Sequence, residues 1–204
     1  MEAKVMGITE NISNESLLSQ VSQTLIATIG VNDDYTKCHS ERVAEYSREI
    51  AARYGLPKEE QDIIYVMALL HDIGKIGVPD FVISKPGRLM DTEYEIVKQH
   101  SVLGAEILKN IKDVPKLAAV VRSHHERFDG NGYPDGLAGE EIPMEARIIA
   151  VAESYDAMTG ESRYRTPLSQ AEARAEIEKC SGSQFDPVFA DIMLQMIDDS
   201  NSEK

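Results

Sequence analysis

Apolar residues recur at helical spacing along most of this chain. Leu17, Leu18, Val21, Leu25, Ile26 and Ile29 trace one face ahead of the polar break Val31-Asn32-Asp33-Asp34. A second helix carries Val43, Tyr46, Ile50 and Ala51, and Gly55 supplies its C-cap. Pro57 opens a third, which runs through Ile63, Ile64 and Met67 to the string His71-Asp72-Ile73-Gly74-Lys75. Asp91 is placed as the N-cap of a helix containing His100 and Leu103. Pro115 starts another helix, which ends near His124-His125, and Pro143 starts an alanine- and isoleucine-rich one that reaches Glu153 and reads as buried. Ser169 and Glu172 have capping-box spacing, Gly182 stops their helix, and Asp186-Pro187 begins a last amphipathic one with Ile192, Met196 and Ile197. No alternating pattern competes with these helices, so the predicted class is all-α.

One stretch breaks the rhythm. Arg127-Phe128-Asp129-Gly130-Asn131-Gly132-Tyr133-Pro134-Asp135-Gly136 is dense in turn formers. A loop of this size inside a compact domain is usually functional or disordered, and Phe128, Tyr133 and Leu137 give this one apolar anchors.

The 204 residues fit one domain, and 42% hydrophobic and 27% charged residues fit a core with a soluble surface. There is no run of about 18 apolar residues and no signal-peptide pattern at the N-terminus, which predicts a cytoplasmic protein with no membrane partner. A net charge of −14 argues against a broad DNA- or RNA-binding face, yet leaves room for a small anionic substrate in a cleft with local positive charge. Cys38 and Cys180 form no CxxC pair and read as reduced thiols, with Cys38 a small apolar filler in its helix.

The candidate chemistry lies in the five histidines, His39, His71, His100, His124 and His125. A helical histidine is more often a surface or core residue than a ligand, so the setting has to decide. Adjacent side chains diverge by about 100° on a helix, so His71 and Asp72 can converge only if the helix ends there, and Gly74 allows that. Asp72 then has one oxygen for each of two ions. His-Asp and His-His pairs are individually common. A His-Asp pair followed by Gly74-Lys75 and Gly77-Val78-Pro79-Asp80, and a His-His pair followed by Glu126, Arg127 and the turn-rich loop, are far more specific.

Taken in order, these segments resemble an HD-GYP domain, a branch of the HD phosphohydrolase superfamily. The matching stretches are His39-Ser40-Glu41-Arg42-Val43, 71–80, Lys85-Pro86-Gly87, 100–104, 124–139 and 142–151, with Asp156-Ala157-Met158-Thr159 and Gln184-Phe185-Asp186-Pro187. The resemblance implies a single HD-type helical bundle with a long Gly-Tyr-Pro loop over residues 20–197. An N-terminal segment and the start of the first helix (1–19) precede it, and an acidic tail (198–204) follows. It implies a buried metal centre that hydrolyses cyclic di-GMP to pGpG and onward to GMP. The implied ligands are His39, His71, Asp72, His100, His124 and His125, with Glu153 where the family has aspartate. Some members hold a third metal with a glutamate four residues before the first histidine; Tyr35 stands there, which favours two ions. Five nitrogens plus carboxylates suit iron, manganese or nickel better than magnesium, with iron the first choice and manganese next.

A metal-activated hydroxide would need no serine or cysteine nucleophile, and no GxxxxGK phosphate loop occurs. Asp72 and Lys75 are the catalytic candidates. Lys75 is placed to neutralise a phosphate oxygen or assist the leaving oxygen, although a cation at a helix C-terminus also satisfies the dipole. Gly132 and Tyr133 are assigned to substrate, with Gly132 and Pro134 shaping the loop. Arg163 and Arg165 stand where the family carries substrate-binding basic residues, and Ser162 replaces one expected arginine.

Two other readings stay open. Glu153 and Ser162 fit a catalytically weak module that binds cyclic di-GMP or docks a partner such as a diguanylate cyclase or sensory domain. An HD-type hydrolase of another cyclic dinucleotide or nucleotide fits the same ligand set. The apolar first helix also offers a homodimer surface.

Overall fold

The computed structural model describes residues 34–160 and 166–202. The expected helix over Leu17–Ile29, the side chain of Tyr35, Ser162, Arg163 and Arg165 lie outside the described residues. Among those described there are eight α-helices and no named strand: α1 Asp34–Tyr54, α2 Lys58–Leu70, α3 Asp80–Ile83, α4 Asp91–Leu108, α5 Leu117–Ser123, α6 Met144–Thr159, α7 Gln170–Cys180 and α8 Pro187–Ser202. The all-α expectation holds. No described helix is long and apolar enough to cross a membrane.

The predicted stops and starts are largely where the chain chemistry put them. Gly55 ends α1 with φ +96°, a conformation that favours a residue without Cβ. Ser169 accepts a hydrogen bond from the Glu172 N–H while the Glu172 carboxylate accepts from the Ser169 N–H, closing the expected capping box. Other ends differ. Asp91 is the first residue of α4 and Met90 the cap position, because the Glu93 carboxylate is what takes the Met90 N–H at 2.7 Å. Helix α5 begins at Leu117, two residues after Pro115, with Lys116 in the left-handed region at φ 64°. Helix α6 continues past Glu153 to Thr159.

Two expectations need correction. Cys38 is exposed, not a filler of the helix interior. The acidic end expected from Asp198 is helical through Ser202, held by ion pairs from Arg174 to Asp198 and from Arg53 to Asp199. Helix α8 thus continues past the point where its apolar periodicity stops.

Helices α1, α2, α5 and α6 surround the core. Ile50, Ile64, Leu70, Val120, Ile148 and Ile149 are buried within it, and α7 and α8 add Ile177, Phe189 and Met193. Burying each such side chain contributes roughly 1.5–3 kcal/mol. The layout matters for function because α1, α4 and α6, together with the ends of α2 and α5, carry the histidines and carboxylates of the candidate site.

Candidate metal centre

The HD string works because α2 stops before it. Leu70 is the last residue of α2; Asp72 follows with φ −95° and ψ 6°, and a 3-10 turn runs over Ile73–Gly77. The turn lies directly against α4. A Cβ on Gly74 would sit 1.9 Å from the His100 carbonyl oxygen and 2.5 Å from the Gly104 nitrogen, so only glycine permits this approach. Gly74 therefore sets the distance between the His71-Asp72 pair and His100.

The six predicted histidine and aspartate ligands and Glu153 converge. Nitrogens of His100, His124 and His125 lie within 4.8 Å of one another, as do ligand atoms of His39, His71 and Glu153. Asp72 stands between these triads. Its Oδ2 is 3.3 Å from His71 Nε2 and 3.9 Å from His39 Nε2, while its Oδ1 is 3.5 Å from His100 Nε2. Glu153 Oε1 is also 3.8 Å from His125 Nε2, so the longer side chain reaches the cluster from α6. His71, Asp72, His100 and His124 are each at most 1% exposed.

The hydrogen bonds fix which ring nitrogen faces inward. His71 donates from Nδ1 to Ala68 O, His100 to Val97 O and His124 to Val121 O, each at 2.6 Å. His39 Nδ1 donates to Asp156 Oδ2 at 2.7 Å. A carbonyl or carboxylate acceptor puts the proton on Nδ1 and leaves Nε2 as a lone pair. The Nε2 atoms of His100 and His124 consequently face each other at 3.1 Å with no proton between them. Two lone pairs at that separation repel unless a cation lies beside both. His71 Nε2 and Asp72 Oδ1 are likewise buried with no hydrogen-bond partner. Such unmet donor atoms are costly in a protein interior and are the atoms a metal takes. The residues present fit a divalent ion in each triad.

The protonation pattern agrees. Burial pushes His100 and His124 down, and brings His125 to about 4, so these rings stay neutral, the form that ligates. Burial works against charge on Asp72 and Glu153 as well. Lys75 and His71 nevertheless hold Asp72 well below the usual range, and His125 and His71 lower Glu153. His71 runs the other way: burial opposes its charge, but the Asp72 carboxylate outweighs this and raises it to about 9. Without an ion, the buried carboxylates draw a proton onto His71.

Lys75 Nζ is 2.5 Å from Asp72 Oδ2, at the cluster and part-exposed. Tyr133 stacks on His125 with centroids 4.8 Å apart and planes 30° apart. A Cβ on Gly132 would meet the Arg127 nitrogen at 2.3 Å and Glu126 Cα at 2.5 Å, so Gly132 lets the loop fold back on its own start. The peptide bond Tyr133–Pro134 is cis.

Two working residues were not singled out by sequence reasoning. Asp156 orients His39 and is itself held by Arg42 Nε at 2.6 Å. Its signal was the Asp156-Ala157-Met158-Thr159 stretch, which gave no hint of a partner 117 positions away. Glu126, buried beside the His-His pair, accepts the Asp135 and Gly136 N–H groups on Oε1 at 2.7 and 3.1 Å. That carboxylate straps the far side of the loop and keeps Tyr133 over His125. The loop is tied again where Phe128 and Asp129 donate backbone N–H groups to Gln184 and Ser183 carbonyls.

Comparison with known proteins is consistent with this geometry. The HD domain family model matches residues 21–189. A cyclic di-GMP phosphodiesterase of Thermotoga maritima is 40% identical over 184 residues, 89% of this chain and 50% of that protein. A 3'3'-cGAMP-specific phosphodiesterase 2 of Vibrio cholerae is 34% identical over 201 residues, 95% of this chain and 38% of that protein. The chain thus spans half or less of the length of these relatives. Among solved structures, Bd1817, a HDG"Y"P protein from Bdellovibrio bacteriovorus, shares the fold with a TM-score of 0.68 at 17% identity, over 96% of this chain and 67% of that one. The ligand order, the loop over His125 and the match across most of the sequence lead to one conclusion: the chain belongs to the HD domain family, and within it to the HD-GYP type.

Proposed function

We propose that this chain is a metal-dependent phosphodiesterase that hydrolyses cyclic di-GMP to linear pGpG and onward to GMP. The observation that carries the reading is the pair of buried triads, His39-His71-Glu153 and His100-His124-His125, with Asp72 presenting one oxygen to each. Each triad would hold one divalent ion, iron first and manganese or nickel as alternatives, because nitrogen-rich sites favour these over magnesium. Bound ions supply Lewis acidity to phosphate oxygens and a water acidified to act as nucleophile near neutral pH.

The chain's own groups do the rest. Asp72 aligns the two halves. Lys75, within hydrogen-bond distance of Asp72 Oδ2, offers a cation to a non-bridging or leaving oxygen of the phosphate. Tyr133 covers the His125 side and limits entry of bulk water. Arg163 and Arg165 are assigned to substrate charge.

The relative named for 3'3'-cGAMP supports a second substrate in the same class. The test is metal analysis of anaerobically purified protein, together with turnover of cyclic di-GMP, 3'3'-cGAMP and cyclic di-AMP. About two transition-metal ions per chain and formation of linear dinucleotide are expected. The reading fails if metal-loaded protein leaves all three intact while an active relative assayed in parallel cleaves its own substrate.

A further inference from the structure

At the mouth of the centre, helix α4 carries two residues that neither the ligand set nor the loop motif explains. Tyr94 is 48% exposed and meets the ring of Tyr133 edge-on, with centroids 6.4 Å apart. One turn on, Lys98 places its Nζ 5.4 Å from the Tyr94 centroid and 5.5 Å from the Tyr133 centroid. Tyr133 itself lies on His125, so this aromatic and cationic corner is continuous with the metal cluster and opens outward from it.

The corner is rigidly mounted. Lys85 pairs with both Glu93 oxygens at 2.8 and 2.6 Å, and Glu93 also takes the Met90 N–H, which fixes the first turn of α4 beneath Tyr94. Lys98 is held more loosely. Its partner Glu95 is 64% exposed, and an ion pair of that kind contributes little in water. A phosphate can replace Glu95 at small cost, whereas the ring of Tyr94 already presents a stacking surface.

We propose that Tyr94 and Lys98 form a second recognition position for a cyclic dinucleotide, holding the nucleotide that is not being cleaved: Tyr94 stacks its base and Lys98 pairs with its phosphate. The inference rests on the phosphodiesterase reading above. It makes the rim a determinant of affinity for dinucleotides over simple phosphodiesters, separate from the bond-breaking centre. Aromatic stacking and charge-assisted pairing are both strong enough to be read by single substitutions.

Steady-state kinetics of the full metal-loaded chain test it, using Tyr94→Ala, Tyr94→Phe and Lys98→Met with cyclic di-GMP and with bis(p-nitrophenyl) phosphate, a diester without a base to stack. Tyr94→Ala and Lys98→Met should each raise KM for cyclic di-GMP about tenfold, as expected for one stacked base or one phosphate contact. The change in kcat should stay under about twofold, metal content should hold, and Tyr94→Phe should restore KM. An unchanged KM in both variants, with active wild type, overturns this inference alone. So does a loss that falls equally on the base-free diester or that follows metal loss, since either marks a structural role. If wild-type protein cleaves the simple diester and no cyclic dinucleotide, this inference and the substrate reading fall together.

Discussion

The two triads are built from similar histidines but are charged differently. His39, His71 and Glu153 include a carboxylate, and His39 is backed by a second one through Asp156. His100, His124 and His125 are all nitrogen, and two of them lean on backbone carbonyls. The first half therefore carries its own negative charge, and, against the effect of burial, Asp72 with Glu153 behind it raises His71 to about 9. The second half is kept neutral by burial and offers only lone pairs. What lies between them is Asp72, whose Oδ1, 3.5 Å from His100 Nε2, offers the nitrogen half an anionic group it otherwise lacks. The halves should therefore differ in affinity and in what stabilises them, even though one residue faces both.

Four substitutions test that contrast. Asp72→Asn removes the shared charge and should have the largest effect. Metal content should fall in both halves and turnover should drop by about 10³-fold or more, measured by elemental analysis beside the dinucleotide assay. Gly74→Ala acts on geometry instead. The added Cβ must displace the His100 backbone, and moving ligands by about 1 Å costs on the order of 10²-fold in activity. Overpacking of about 1–3 kcal/mol should also lower the melting temperature by roughly 2–12 °C, read by thermal denaturation.

Asp156→Asn tests the asymmetry directly. Weakening the partner of His39 should reduce affinity for one ion about 10–100-fold and leave the nitrogen half loaded, visible as two-step metal titration. Equal loss from both halves would show that they bind as one unit. Glu153→Asp should have the smallest effect, a change in turnover within about threefold, because the carboxylate that already reaches His39, His71 and His125 is only shortened by about 1.5 Å. A large rise in turnover would make the glutamate a brake on the enzyme.

Part of this centre was readable from sequence because four of its candidate ligands, His71, Asp72, His124 and His125, sit where helices end and local chemistry is explicit. Gly74 announced the break after His71, and the turn formers after His125 announced the loop. The His39–Asp156 and Glu126–Asp135 contacts were hidden, since a carboxylate's partner across the fold leaves no mark in local spacing. The exposure of Cys38 and the extension of α8 through Asp198 and Asp199 were misjudged for a related reason: both depend on what neighbouring helices put beside them. Position within an element is local information; its surroundings are not.

The carbonyls that orient His71 and His124 belong to the final turns of α2 and α5, where a terminating helix leaves acceptors with spare capacity; Ala68 O takes the His71 N–H at 3.4 Å besides the ring. Leftover valences of chain termination thus become aiming devices. The His100 and His124 imidazoles are locked by the act of folding itself, so an incoming ion meets lone pairs already directed at it, while His71 has first to release the proton that Asp72 draws onto it. Loading can follow folding, and one ion can be exchanged for another without the bundle being remade.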